Sequence, residues 1–167
     1  VSTDSTRGQL NYPLYARLGA VAMVQASMTA GGVHVAVQDV TTQRVARVKD
    51  FPLLDVPLSG AWRMQLHRMS DAIEFWVTGD RAIAATRILY SSGGRIWQID
   101  SDGANPTVVA GGDGLALYPS WHPRATHIAY TAMTDDGTKI VIREIGGAAR
   151  TLRATAGSMN STPVFSP

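Results

Sequence analysis

His67 falls within a helical pattern, with Arg63 four residues before it and Asp71 four after. On a helix these three side chains share one face, an order that could relay charge from a carboxylate through an imidazole. A relay needs a nucleophile. The sequence has no G-x-S-x-G segment, no Ser/Asp/His set of the hydrolase kind and no cysteine. His67 therefore reads as a structural hydrogen-bonding group where two domains meet, with Asp71 as its helical partner. His122 and His127 are five residues apart on different expected strands, and two imidazoles without a third ligand make no zinc site. The run "DSDGAN", residues 100–105, has the look of a calcium loop. That pattern closes on a Glu at its twelfth residue, which counted from Asp100 is Gly111. A hairpin turn with Gly103 in left-handed backbone is the better reading, and "TDDGT", 134–138, reads the same way. No G-x-G-x-x-G follows a strand, so dinucleotide binding has no support. The expectation is a chain without catalysis, cofactor or metal.

Composition narrows the classes further. The chain has 167 residues and 45% apolar content, enough for one ordinary domain or two small ones. No apolar run reaches the eighteen or so residues that span a bilayer. The opening "VSTDSTRGQL" is polar and is not a signal peptide. Fifteen Lys and Arg against thirteen Asp and Glu leave a charge of +2, too small to suggest nucleic acid. The absence of cysteine excludes disulfides and leaves the compartment open.

The elements that would position these groups change character along the chain. "NYPLYARLG" predicts a short helix ending at Gly19, and "AVAMVQASM" a buried strand. "VHVAVQDV" alternates strictly, with Val33, Val35 and Val37 on one side, as a half-buried strand does. "QRVARVKDF" alternates likewise, joined to it through "TT" as a hairpin. A long helix follows, capped by Ser59 and stopped by Gly79. Its apolar stripe is Trp62, Leu66, Met69, Ile73 and Trp76. A helix packed by such a stripe onto a small sheet is an α/β layer.

From Thr86 the helical signals cease and an internal repeat begins. Ile88 and Tyr90 match Ile128 and Tyr130, 40 residues on. Ile96 and Gly103 match Ile140 and Gly147, and Pro119, Trp121 and Pro123 match Pro163, Phe165 and Pro167, all 44 apart. The difference lies in one hairpin, "SSGGR" against "TAMTDDGTK". A period in the low forties with about four short strands per unit indicates a β-propeller of WD40-like repeats. Each "P-x-[WF]-x-P" would be the innermost strand of a blade, its aromatic filling the space between blades. "HIAY" would be the second strand, "KIVIREI" the third and "TLRA" the outer edge. The expected fold is an α/β N-terminal domain, 1–84, followed by the first blades of a β-propeller, 85–167. About two units are present, and bare sheet edges are a hazard, so the expectation is a C-terminally truncated chain.

These segments resemble the TolB family of the Tol–Pal system. The likeness runs through "NYPLYARLGAVAMVQASM", "VHVAVQDV", "WRMQLHRMSDAIEFWVTGDRAIAATRILY" and the units with "IDSDGAN". Its most specific positions are Arg63, His67, Ser70, Asp71, Thr78, Gly79, Thr86, Arg87 and Ile88. The resemblance implies a periplasmic, non-enzymatic scaffold with a propeller that binds the outer-membrane lipoprotein Pal, with other Tol or envelope proteins as further partners, keeping the outer membrane attached. Binding to TolA is not carried over, since the terminus responsible is not recognisable. The matching partner-binding positions are the expected rim loops, Leu117 and Tyr118 before Pro119, and Asn160, Ser161 and Thr162 before Pro163. Tyr118 leads, as an exposed aromatic anchor. Two departures stand out. Ala82 replaces a family glycine, unfavourable if that turn is left-handed. "HPRA", 122–125, replaces "SPDG" and lacks the Asp-Gly turn pair. The alternative is the regulatory propeller of a prolyl-oligopeptidase-type serine peptidase. The long helix before the propeller fits TolB and has no obvious place there.

Overall fold

The computed structural model describes residues 10–53, 56–112, 114–152 and 159–167. The chain divides into two compact units, with the division between Ala85 and Thr86.

The first unit opens with α1 (Tyr12–Arg17), where Asn11 Oδ1 accepts the Leu14 N–H and Pro13 lies in the first turn. Three antiparallel strands follow in the order β1 (Ala22–Thr29), β2 (Gly32–Asp39), β3 (Arg44–Pro52). β2 is central, and its alternation is real: Val33, Val35 and Val37 are buried. They pack with Phe51 and with Met69, Ile73 and Trp76 of α2 (Gly60–Thr78). Ser59 caps α2 through its hydroxyl to Trp62 N–H, and Gly79, at φ 80°, ends it. Met69, Ile73 and Trp76 of the expected stripe therefore make the contact, although the residue of α2 that is most shielded is Met64, which lies off the stripe.

β1 corrects an expectation. The segment expected as a strand over 20–28 forms one at Ala22–Thr29, but it is not buried. Val24 and Met28 pair with Val37 and Val33 and so lie on the helix side of the sheet. α2 packs over β2 and β3, leaving Val24 46% and Met28 75% exposed. The β2–β3 connection also differs from a two-residue joint. Pairing stops at Asp39 and Arg44, so Val40 to Gln43 form the loop, with Thr42 N–H donating to Asp39 Oδ1 at 2.7 Å.

The second unit holds two sheets. One is β4 (Arg87–Ser92), β5 (Arg95–Asp100) and β6 (Thr107–Ala110). The other is β7 (Leu115–Trp121), β8 (His127–Thr134), β9 (Gly137–Glu144) and β10 (Ala149–Thr151), in the order β10-β9-β8-β7. That is the strand order read from the repeat. Of the expected outer edge "TLRA", Thr151 is in β10, while Arg153 and Ala154 lie outside the described residues. One core cluster joins the sheets: Ile96 and Ala110 from the first, Ala116, Ile128, Tyr130 and Val141 from the second.

The repeat extends to the hydrogen bonds. Asp100 N–H donates to Ala104 O at 2.9 Å, Gly103 N–H to Asp100 O at 2.9 Å, and Ser101 N–H to Thr86 O at 3.1 Å. Their counterparts are Glu144 N–H to Ala148 O at 3.0 Å, Gly147 N–H to Glu144 O at 3.1 Å, and Ile145 N–H to Thr126 O at 3.0 Å. Trp121 Nε1 donates to Arg87 O at 3.2 Å, tying β7 to β4.

Candidate functional site

The candidate rim residues are placed differently from the loops expected of them. Leu117 and Tyr118 lie inside β7, which starts at Leu115. Pro119 therefore does not begin the strand. It sits in an irregularity of the β7–β8 ladder, where pairing passes from Leu117–Thr131 to Ser120–Ala129. Proline lacks an N–H to give to a ladder, and a bulge is where a sheet tolerates it. Tyr118 precedes it at φ 52°, a left-handed backbone that costs an L-residue roughly 1–2 kcal/mol. The side chain is 54% exposed. Pairing on both sides of the bulge holds this strain in place.

Thr162 repeats the device. It lies 44 residues after Tyr118, precedes Pro163 and has φ 50°. Its N–H donates to Thr131 Oγ1 at 3.2 Å, and Asn160 N–H donates to Thr138 Oγ1 at 2.9 Å. Ser161 is exposed between them. The two candidate segments thus come together around Thr131, which pairs with Leu117 and accepts from Thr162. Thr131 is only 2% exposed. The sequence reading passed it over because a β-branched residue in "HIAYTAMT" looks like ordinary strand filling; its match to Ser91, also a hydroxyl, was the available signal.

The turn after β7 closes through backbone bonds, His122 N–H to His127 O at 2.9 Å and Ala125 N–H to His122 O at 2.7 Å. Ala125, where glycine was the family residue, has φ 53°. The turn forms without Asp-Gly, at the strain of an alanine in left-handed backbone. Ala82, by contrast, is buried and is not among the left-handed residues, so that replacement carries no such strain.

The groups considered for chemistry have structural partners. Asp71 accepts the N–H groups of Ala84 at 2.6 Å and Ala85 at 2.9 Å. Its carboxylate fastens the chain beyond α2. Asp100, 3% exposed, accepts from Arg87 Nε at 3.1 Å and Asn105 Nδ2 at 2.7 Å. Both oxygens are committed to protein donors, and Gly103 has φ 82° as the turn reading requires. Among the described residues no group of three or more His, Asp or Glu could hold a metal ion. His122 Nδ1 accepts the Arg124 N–H at 3.1 Å. Asp39 is held below the ordinary aspartate range, chiefly by the Thr42 N–H. No helix among the described residues is long and apolar enough to cross a membrane.

No family model matches the chain. It is 34% identical over 103 residues to the Tol-Pal system protein TolB of Methylobacillus flagellatus, an alignment covering 59% of this chain and 24% of that protein. It is 34% identical over 110 residues to TolB of Xanthomonas campestris pv. campestris, covering 61% and 25%. To TolB of Xylella fastidiosa it is 32% identical over 111 residues, covering 62% and 25%. The matched segment thus spans about a quarter of the length of these relatives. Among solved structures, TolB from Acinetobacter baumannii superposes with a TM-score of 0.69 at 24% identity, covering 93% of this chain and 43% of that one. The chain is TolB-like in sequence and shares that structure's fold over part of its length.

Proposed function

We propose that this chain is part of a periplasmic, non-enzymatic protein-binding scaffold of the TolB kind. Residues 1–84 form its α/β domain, and residues 85–167 its first propeller blades. It binds a Pal-like outer-membrane lipoprotein through Leu117, Tyr118, Asn160, Ser161 and Thr162, and supports outer-membrane integrity as a member of a Tol–Pal system. The observation that carries this reading is the TolB-like sequence on a TolB-like fold. The recurrence of a left-handed residue before proline at Tyr118 and Thr162 supports these segments as the contact surface, since backbone strain tends to cluster at functional sites. Exposed tyrosines are frequent hot spots of interfaces.

The test is a titration of the full chain with the soluble domain of the lipoprotein from the same organism, by calorimetry. Binding is expected, and Tyr118→Ala is expected to weaken it by about thirtyfold, equivalent to some 2 kcal/mol, with an unchanged circular dichroism spectrum. Absence of binding, or equal affinity in the variant, overturns this reading of the rim.

A further inference from the structure

The turn at residues 122–127 depends on a titratable acceptor. His122 Nδ1 takes the Arg124 N–H at 3.1 Å and lies 3.4 Å from Thr126 Oγ1. Only an imidazole with an unprotonated Nδ1 can accept these bonds. The same ring meets Phe165 edge-on, with centroids 5.0 Å apart at 77°. Phe165 belongs to the segment 159–167, which is otherwise fastened to this sheet by Asn160 N–H on Thr138 and Thr162 N–H on Thr131. The neutral His122 ring thus adds one bond to a turn that backbone bonds also close, and one ring contact to that segment.

We propose that His122 is an acid-sensitive latch for the segment 159–167. On protonation Nδ1 becomes a donor facing the Arg124 N–H, and the bond is lost. Ala125, at φ 53°, then has less to hold it left-handed, and the ring shifts from Phe165. Arg124 is in the same turn, and the His127 ring lies 5.9 Å from that of His122. His127 Nδ1 is already engaged with Thr126 Oγ1 at 2.9 Å. Glu144 of β9 stands opposite His127, not His122, in the ladder. The side chains of 159–167 bring no ionisable group. The turn bond is thus present while Nδ1 is unprotonated and lost when it takes a proton.

The experiment is NMR on the labelled full chain between about pH 8 and about pH 5. The readouts are the Arg124 amide and the Phe165 ring. Protection of the Arg124 amide, corrected for intrinsic exchange, is expected to fall about tenfold, the worth of one hydrogen bond, with Phe165 resonances moving in the same titration. His122→Ser keeps a hydroxyl acceptor that does not titrate and is expected to flatten both curves. His127→Gln is expected to preserve them. A flat wild-type response, an unchanged titration in His122→Ser, or its loss in His127→Gln overturns the latch.

Discussion

Ala125 is the residue whose backbone and side chain disagree most plainly. Its φ of 53° suits glycine, yet two turn bonds hold the alanine there. Ala125→Gly is expected to stabilise the chain by about 1 kcal/mol, seen as a higher urea midpoint at unchanged slope. No gain would mean that the turn imposes no strain. Asp71 illustrates how far the sequence could be read at this scale. Helical spacing offered it only partners three or four residues away, whereas its acceptor role is played 13 and 14 residues on, at Ala84 and Ala85. Asp71→Ala is expected to destabilise the first unit by about 1–3 kcal/mol, the cost of removing acceptors from part-buried N–H groups. Asp39 gives the pH dependence its sign. Its folded carboxylate titrates below the ordinary value because Thr42 N–H favours the charged form. The β2–β3 loop is thus favoured above the ordinary aspartate pKa and weakened as pH falls through the lowered one. NMR of the Thr42 amide in acid checks this, and Asp39→Asn is expected to remove the dependence.

The elements were legible wherever one local device determines them. Ser59 and Gly79 bound α2 because an N-cap hydroxyl and a left-handed C-cap need no tertiary context. The strand order of the second sheet followed from the repeat. Burial was less legible. Periodicity marks β1 as apolar, but which strands a helix covers is decided by the packing of α2. The start of β7 was missed because Pro119 looked like a boundary, and a bulge that accepts proline mid-strand leaves no periodic trace. The repeat itself allows a sharp test. Ile88 and Ile128 occupy matching positions in their sheets, yet Ile128 is 0% exposed and Ile88 52%. Ile128→Ala is expected to cost about 3–4 kcal/mol, and Ile88→Ala less than about 1 kcal/mol, since little of its surface leaves water on folding. Equal costs in urea unfolding would show that the two sheets are not shielded as described.

At the scale of the whole molecule, that inequality becomes a surface. In the ladders, Ile88 pairs with Ile99 and Tyr90 with Trp97, while Ile128 pairs with Arg143 and Tyr130 with Val141. The second sheet turns its set into the shared core. The first sheet presents its matching set, with Tyr90 stacked on Trp97 at 6.4 Å, and Ile88 open to water. A sheet face that carries Ile88 exposed beside half-buried Tyr90, Trp97 and Ile99 favours association. The chain is therefore expected to self-associate reversibly as its concentration rises, measured by sedimentation velocity. Ile88→Lys should suppress this, because a lysine there would have to be desolvated at the contact, and it should leave the monomer's stability nearly unchanged. β1 supplies the competing explanation. Its residues Ala22–Thr29 carry no charge along a sheet edge, whereas the opposite edge, β3, is guarded by Arg44, Arg47 and Lys49. Suppression by Val24→Lys but not by Ile88→Lys would assign the association to the edge of the first unit instead of the face of the first sheet.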